Sequence, residues 1–217
     1  MYGRSSIQNF VFFLLLTCNT ACSQKNLVNN DNQDKEVGGR CDGCELLYVD
    51  MPAQIDWQTN YASPNEPGEP LEISGTIYKR DGRTPVAGVV MYLYQTNHRG
   101  YYAPGPDQNP ASQRHGRLRG WVKTNDAGEY MFRTIKPGVY PDSTLPAHIH
   151  PTIKEANKTA YYIDDFVFEG AYKVDGNYIR NQEKRAGSGI IKIQKNSSGV
   201  WIGKRDLILG LNIPDYD

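Results

Sequence analysis

Two histidines separated by one residue, His148 and His150, are the side chains whose type and spacing most directly suggest metal chemistry. In a β-strand, residues two apart point to the same face, so both imidazoles would face one point while Ile149 packs the other way. Histidine pairs of this kind commonly hold a transition metal. The pair alone is also compatible with a surface strand that carries two solvated histidines.

The side chains near this pair that could complete a metal site are tyrosines. No Cys, Asp or Glu stands beside the pair, whereas the chain contains 15 tyrosines. A free phenol has a pKa of about 10, and a nearby ferric ion would lower that pKa strongly because it favours the phenolate. Two phenolates would also neutralise two of the three ferric charges. The residue types therefore favour a high-valent metal over zinc.

The segments around these residues resemble the iron-binding stretch of intradiol ring-cleavage dioxygenases. The resemblance is most specific in Phe132-Arg-Thr-Ile-Lys-Pro-Gly-Val-Tyr140-Pro, which is followed by Pro146-Ala-His-Ile-His150. Further similar segments are Val86–Asn97, Gly100–Tyr102, Arg117–Tyr130 and Phe166–Gly170, and the whole resemblance spans roughly residues 70–211. Enzymes of that family open catechol, hydroxyquinol or protocatechuate rings between the two hydroxyls.

This resemblance implies a set of iron ligands and an activity. The implied ligands of Fe(3+) are Tyr102, Tyr140, His148 and His150. Tyr140 is also implied to leave the iron when the substrate binds as a dianion, and then to act as a base. The implied substrates are a small aromatic diol and O2, and no external reductant is needed. Tyr102 is preferred over Tyr101 because of its spacing from Gln95 and Asn97.

Two positions depart from the family pattern, and both concern residues around the ligands rather than the ligands themselves. Leu145 stands where the characterised enzymes have an arginine thought to stabilise charge on the substrate ring, and Asp165 stands where they have a glutamine. Loss of one such electrostatic group can raise a barrier by about 2.7–4 kcal/mol. The sequence therefore supports iron binding more strongly than efficient catechol cleavage. Four arginines could substitute for the missing one: Arg99, Arg114, Arg117 and Arg119.

The elements that must position these residues are short strands separated by turns. Leu71–Tyr78 and Glu129–Ile135 alternate apolar and polar residues, and Ala87–Tyr94 is a more continuous apolar run. Many short strands with regular turns predict an all-β fold, an antiparallel β-sandwich with long active-site loops. The longest stretch without a strand pattern runs from Gly100 to Leu118, and loops of this length are usually functional.

The length and charge of the chain limit its organisation and its partners. The 217 residues allow one globular domain and little more, and the net charge is zero. Nothing in that balance suggests nucleic acid as a partner. The sequence does not identify the oligomeric state.

The N-terminal residues have the features of an export signal. Arg4 precedes the apolar run Phe10–Thr17, which is too short to span a bilayer but fits a secretory signal. Cys22 follows Ala21 and resembles a lipidation site, whereas Cys18 follows the less suitable Thr17. We therefore expect a signal peptide over residues 1–21 and a membrane-anchored lipoprotein of the cell envelope. A plain cleaved signal peptide with an incidental cysteine is the alternative.

The stretch after Cys22 and the cysteine pair beyond it complete the predicted organisation. Residues 22–40 contain few large apolar side chains, which predicts a flexible tether, and the sandwich domain is expected over residues 41–217. Cys41 and Cys44 supply only two thiolates, so a structural zinc site is weakly supported. A disulfide is the first interpretation for an exported protein, with free thiols and a redox role as alternatives.

A second class of function remains open. Segments such as Gly75–Tyr78, Pro85–Val89 and Asn125–Tyr130 also resemble carboxypeptidase-regulatory-like sandwiches, which are exported modules that bind or space without catalysis. The histidine pair favours the dioxygenase, because a spacer module has no need of it. An iron-loaded relative that binds aromatics without turnover would combine the two.

Overall fold

The structure, a computed structural model, describes residues 1–3, 34–141 and 145–217. The predicted signal run Phe10–Thr17, Cys18 and the predicted lipidation site Cys22 lie outside the described residues. The chain divides into two units, Met1–Asp31 and Asn32–Asp217. Only residues 1–3 of the first unit are described. In the described part of the chain, no helix has the length and apolar character needed to cross a membrane.

The regular secondary structure of the described part of the second unit consists mainly of short strands. The strands are β1 (Gln58–Asn60), β2 (Pro70–Tyr78), β3 (Val90–Gln95), β4 (Arg119–Lys123), β5 (Glu129–Ile135), β6 (His148–Lys154), β7 (Tyr161–Tyr162), β8 (Phe166–Phe168), β9 (Ile190–Ile191), β10 (Ile193–Lys195), β11 (Trp201–Lys204) and β12 (Leu207–Ile208). The helices are a 3-10 helix Cys44–Tyr48, a 3-10 helix Pro110–His115 and a short helix α1 (Gly176–Arg180).

The strands form two six-stranded sheets. The first has the order β1-β5-β2-β11-β10, with β12 also paired to β2, and the second has the order β4-β3-β6-β8-β9, with β7 also paired to β6. Apolar residues of both sheets, such as Ile73, Phe132, Leu93 and Ile149, share one buried core. The predicted all-β sandwich is therefore confirmed.

The pairing within the sheets is mixed rather than purely antiparallel. Among the described strands, β1 pairs with β5, β11 and β12 pair with β2, and β8 pairs with β9 in parallel. These partners are far apart in the sequence, and parallel neighbours need such crossover connections. Alternation along a strand reveals which face is buried but not the direction of the neighbouring strand. The antiparallel part of the prediction thus fails at these four pairs.

The start of the packed domain also differs from the prediction. Val37, within the predicted tether 22–40, is 2% exposed and belongs to the core. The backbone N–H of Gly38 donates to the carbonyl of Pro214 at 2.8 Å. The described part of the tether is therefore attached to the domain before Cys41. Val37 is a single apolar side chain among polar neighbours, and its burial helps to attach this segment to the domain. The average composition of residues 22–40 does not reveal one such residue.

The outer face of the second sheet is covered by other parts of the chain. Met91 and Leu93 point into the core, whereas Tyr92 and Tyr94 lie on the opposite face, as alternation along β3 requires. Leu46 and Leu47 of the first 3-10 helix pack against Tyr92 there, with Tyr94, Trp121 and Ala160 at the margin. The Gly100–Leu118 segment also contains the second 3-10 helix, which the sequence did not indicate. The side chain of Tyr92, which leaves this face of β3, is therefore enclosed rather than solvated.

Candidate metal centre

The two predicted histidine ligands are placed by strand β6. Ile149 is completely buried in the core, so His148 and His150 lie on the outer face of the second sheet, as predicted. His150 pairs across the sheet with Tyr94 of β3. Because β6 lies between β3 and β8, its backbone is paired on both sides. His148 is 7% exposed and His150 is half-buried.

The loop after β3 places Tyr102. The side-chain oxygen of Asn97 accepts hydrogen bonds from the backbone N–H groups of Arg99 (2.9 Å) and Tyr101 (3.1 Å). The backbone N–H of Asn97 donates to the carbonyl of Tyr101 at 2.9 Å. These bonds close a tight turn after which Tyr102 points inward, whereas Tyr101 is 52% exposed. The structure thus brings Tyr102, and not Tyr101, to the site.

Two glycines allow the two tyrosine-bearing loops to pack backbone against backbone. Gly100 has a φ of +83°, and a Cβ atom there would lie 1.9 Å from the carbonyl oxygen of Val139. A Cβ atom on Gly138 would lie 2.5 Å from the nitrogen of Gly100. The N–H of Gly138 donates to the carbonyl of Asn97 at 2.9 Å. Tyr140 is thereby placed relative to Tyr102 by direct backbone contact.

The four predicted ligand atoms meet at one point. We call the hydroxyl oxygens of Tyr102 and Tyr140 and the Nε2 atoms of His148 and His150 the donor cluster. Within it the two hydroxyls are 2.5 Å apart, and the two nitrogens are 2.9 Å apart. His150 Nε2 lies 2.9 Å from the Tyr102 hydroxyl and 3.5 Å from the Tyr140 hydroxyl. The Tyr140 hydroxyl lies 3.2 Å from His148 Nε2.

The other nitrogen of each imidazole is engaged by an acceptor. His148 Nδ1 lies 2.7 Å from the carbonyl of Pro146, and His150 Nδ1 lies 2.9 Å from Oδ1 of Asp165. Both acceptors require a proton on Nδ1, which in a neutral ring leaves a lone pair on Nε2. Burial and the neighbouring His150 lower the pKa of His148, which favours its neutral form. Two lone pairs therefore converge, as in a metal site.

The spacing and chemistry of the donor cluster fit a metal ion. Metal bonds to nitrogen and oxygen ligands of about 2.0–2.2 Å, separated by right or tetrahedral angles, place the ligand atoms about 2.8–3.6 Å apart. Most distances within the cluster fall in that range. Burial raises the pKa of Tyr140, and burial together with the hydrogen bond to Tyr140 raises the pKa of Tyr102. A strongly charged cation is what would reverse this and stabilise two phenolates.

Asp165 lies beside the donor cluster, and the sequence analysis did not identify its contact with His150. With His148 and His150 it forms a group of potential metal-binding side chains in the described part of the chain. Burial opposes ionisation of Asp165, but its hydrogen-bonded partner His150, together with His148, holds the pKa of the carboxyl below its usual range. The sequence marked this position only as a departure from the family. Nothing local to it indicates that it meets His150.

An aromatic stack supports His150 from one face. The Tyr94 ring lies 4.5 Å from the His150 ring and 3.5 Å from the His115 ring, between centroids. The Tyr92 hydroxyl is hydrogen-bonded to Nδ1 of His115 at 2.9 Å. Burial and the positive charge of Arg114 lower the pKa of His115 to about 3, so this ring is neutral at pH 7. The sequence did not single out His115, which is distant from the ligand motifs.

Three of the four arginines that could substitute for the missing family arginine form ion pairs elsewhere. The ion pairs join Arg114 to Asp42 and Glu45, Arg117 to Glu66, and Arg119 to Asp50. Arg99 is exposed, and Leu145 is 50% exposed. In the described ranges, none of these arginines bonds to an atom of the donor cluster. The carboxylate of Asp165 instead bonds directly to a histidine of the cluster.

The disulfide loop lies close to the same site. Cys41 and Cys44 are joined by a disulfide, with Cα atoms 5.6 Å apart. A cavity of about 250 Å³ is lined by this loop and by the site, including Cys41, Asp42, Tyr94, His150 and Asp165. The N-terminal end of the domain therefore forms one wall beside the predicted ligands.

Comparison with known proteins gives one family. A family model described as dioxygenase matches residues 47–187. Catechol 1,2-dioxygenase 1 of Acinetobacter lwoffii is 40% identical over 78 residues, which are 36% of this chain and 24% of that protein. The protocatechuate 3,4-dioxygenase beta chain of Burkholderia cepacia is 33% identical over 106 residues, 46% of this chain and 45% of that protein. The chain thus spans less than half the length of these relatives.

Solved structures show the same fold. The dioxygenase domain of a dioxygenase and carbohydrate-binding protein fusion from Streptomyces sp. SirexAA-E superposes with a TM-score of 0.55 at 22% identity, covering 73% of this chain and 91% of that one. The intradiol ring-cleavage dioxygenase of Tetranychus urticae gives a TM-score of 0.51 at 20% identity, covering 73% and 88%. At these identities the likeness establishes the fold alone.

Proposed function

Because this chain belongs to the dioxygenase family whose model matches residues 47–187, we propose that it is an intradiol ring-cleavage dioxygenase dependent on ferric iron. The proposed iron ligands are Tyr102, Tyr140, His148 and His150. The observation that carries the proposal is the convergence of these four donor atoms within hydrogen-bonding distance of one another. A spacer module would have no reason to enclose two imidazole lone pairs and two phenols at one point.

The proposed reaction converts a catechol and O2 to a ring-opened dicarboxylic acid. The carbon–carbon bond between the two hydroxyl-bearing carbons breaks, and both oxygen atoms of O2 enter the product, so no external reductant is required. Ferric iron, when bound, would supply the activation of the catecholate toward O2. The relatives' names, which include catechol, protocatechuate and hydroxyquinol dioxygenases, support a small aromatic diol as the substrate class.

The residues of the donor cluster have separate tasks in this proposal. His148 and His150 hold their lone pairs toward the metal, because Pro146 and Asp165 occupy the opposite nitrogens. With iron bound, Tyr140 would be a phenolate, and this phenolate would accept a proton from the incoming diol and become a neutral phenol. Its oxygen lies within 3.5 Å of Nε2 of both histidines, next to the position where the diol would bind. Tyr102 remains as the second phenolate, enclosed by the loop that Asn97 fixes.

The charge around the site supports slow turnover of simple catechols. Arg114, Arg117 and Arg119 are paired with acids, and Leu145 stands at the position of the family arginine. Charge that develops on the ring would therefore lack the arginine of the family pattern, and these three arginines are engaged with acids instead. An iron-binding relative that holds aromatics without turnover is the second candidate, and this same observation favours it.

The test measures metal content, colour and oxygen uptake on the purified protein. We expect about one iron per chain and a visible band from charge transfer between phenolate and iron. Anaerobic addition of catechol should shift that band, and O2 should then be consumed with formation of a dicarboxylate. Catechol, protocatechuate and hydroxyquinol form the panel. A shift without oxygen uptake on any of the three would favour the binding protein.

A matched pair of variants links the colour to the proposed ligands. Tyr102→Phe should weaken or displace the visible band, because one of two phenolates is lost. Tyr101→Phe removes a hydroxyl from the adjacent, 52% exposed ring and should leave the band unchanged. Equal spectra for both variants would contradict the role of Tyr102.

A further inference from the structure

Asp165 and His150 are neighbours because of the register of the second sheet. Strands β6 and β8 are antiparallel, with His148 opposite Val167 and Ile149 opposite Phe166. Continuing that register by one residue places Asp165, which immediately precedes β8, beside His150. Both side chains then leave the same face of the sheet. The observed result is the hydrogen bond of 2.9 Å from Nδ1–H of His150 to Oδ1 of Asp165.

The adjacent carboxylate, Asp164, is directed elsewhere and gives a comparison within the same segment. Its two oxygens accept hydrogen bonds from the backbone N–H groups of Lys184 and Arg185, each at 2.9 Å. Asp164 therefore fixes a turn of the chain. Of these two acids, only Asp165 touches a predicted ligand.

Asp165 lies on the side of the His150 ring that faces away from the metal position. Its Oδ1 lies against the Nδ1 side of His150, whereas Nε2 on the other side of the ring joins the donor cluster. Its second oxygen approaches His148 Nε2 only to 4.0 Å, compared with 3.2 Å for the Tyr140 hydroxyl. Four donor atoms already surround the metal position without it.

We propose that Asp165 is a positioning residue that holds His150 in its metal-binding tautomer and increases its strength as an iron donor. The inference rests on the iron site of the proposed function. A carboxylate on Nδ1–H restricts rotation of the ring and makes Nε2 more basic, which strengthens a metal bond. His148 receives only a neutral carbonyl at the equivalent nitrogen. The two histidines would thus be unequal ligands, and a bound iron would have the negative charge of the Asp165 carboxylate close to it.

Two substitutions separate the hydrogen bond from the charge. Asp165→Asn keeps an oxygen that can accept from Nδ1–H but removes the charge, whereas Asp165→Ala removes both. Loss of such a partner typically lowers metal affinity by roughly 10–100-fold. We therefore expect Asp165→Ala to lose affinity in that range and Asp165→Asn to lose less. Asp164→Asn, which removes a neighbouring charge without touching His150, should retain wild-type affinity.

The measurements are iron affinity by competition with a chelator and the wavelength of the phenolate-to-iron band, both without substrate. Removing a negative charge near the ferric ion makes it a better electron acceptor. The band should therefore move to longer wavelength in Asp165→Asn and Asp165→Ala, and stay in place in Asp164→Asn. These readouts do not depend on turnover.

Two outcomes would overturn the role assigned to Asp165. Wild-type affinity and an unmoved band in both Asp165 variants would exclude any effect on the iron. Complete loss of iron in both, equal to that of His150→Ala, would make Asp165 a direct ligand instead. A wild-type protein without iron or colour would overturn the proposed metal centre itself, so the two failures are distinguishable.

Discussion

At the scale of single residues, the site depends on imidazoles that are held in the correct orientation. His148 and His150 each present Nε2 to the same point because an acceptor occupies each Nδ1. The buried imidazole of His115 contributes differently, since it contacts Tyr92 and Tyr94 rather than the donor cluster. These two groups of histidines lead to separate predictions.

Removal of either predicted histidine ligand should abolish most iron binding. His148→Ala and His150→Ala each remove one of four donors and leave the remaining three poorly arranged. We expect iron far below one per chain in both variants by elemental analysis of folded protein. His98→Ala is the matched control, because His98 is exposed and should not affect iron content. Full iron retention in both ligand variants, or zinc in place of iron in the wild type, would contradict the assignment.

His115 should make the folded protein less stable as pH falls. Burial first, and then the charge of Arg114, lower the pKa of His115 to about 3, whereas an unfolded histidine titrates near about 6.5. Between these values the unfolded chain binds the additional proton, so the free energy of unfolding decreases with falling pH in this window. Above pH 6.5 neither state is protonated and the effect vanishes.

The measurement compares the melting temperature of the wild type and of His115→Gln from pH 7 to pH 4, both in the same iron state. Gln cannot titrate but retains polar atoms for Tyr92. We expect a shallower decline for the variant, whatever its absolute stability. Parallel declines would show that His115 takes up its proton as readily in the folded protein as in the unfolded chain.

At the scale of elements, strands provide the histidines and glycine-dependent loops provide the tyrosines. Strand β6 sets His148 and His150 by alternation alone. Tyr102 and Tyr140 come instead from loops whose backbones touch at Gly100 and Val139. The geometry of the donor cluster therefore depends on the contact between Gly100 and Val139, which a residue with a Cβ atom at position 100 would not allow.

A methyl group at Gly100 should separate the two loops. In Gly100→Ala the new Cβ would lie 1.9 Å from the Val139 oxygen, in addition to the cost of a φ of +83°. Gly199→Ala is the control, since its φ is +78° and nothing lies within 4 Å of its Cβ position. The control should lose about 1–2 kcal/mol of stability from backbone strain alone.

Gly100→Ala should lose more stability than Gly199→Ala in denaturant unfolding, and its phenolate-to-iron band should also weaken because Tyr102 moves from Tyr140. Gly199→Ala should keep the wild-type band. Equal losses of stability with intact colour in both variants would mean that the loops accommodate the methyl group and do not define the site.

At the scale of the whole molecule, the structure describes the domain, whereas the anchor is predicted from residues outside the described ranges. The sandwich is closed at its N-terminal side by residues that include Val37 and the disulfide of Cys41 and Cys44. Export and lipidation at Cys22 stay predictions from the sequence. They would place the protein in the cell envelope, where a disulfide is stable.

Cys22→Ser tests the anchor. If Cys22 is lipidated, the variant should move from the membrane fraction to the soluble fraction of its host. Cys18→Ser, which changes the other cysteine of the same segment, should remain in the membrane fraction. Unchanged fractionation of Cys22→Ser would exclude lipidation at this residue.

The features that could be predicted from the sequence are those that depend on short segments of the chain. Alternation along short segments predicts a sandwich, because burial of one strand face requires it. The segment Phe132–His150 carries the histidine spacing and Tyr140, and the preference for Tyr102 over Tyr101 follows from spacing to Gln95 and Asn97. The structure brings these four side chains together as expected.

The tertiary structure alone decided the surroundings of the ligands. Asp165 meets His150 because β8 pairs with β6 in a particular register, and register is set by the packing of the whole sheet rather than by local sequence. The parallel strand pairs and the burial of Val37 in the core also depend on the packing of the whole domain. So do the ion pairs that Arg114, Arg117 and Arg119 form with acidic residues. A motif specifies which atoms can bind a metal. Their charge environment depends on contacts between segments that are distant in sequence.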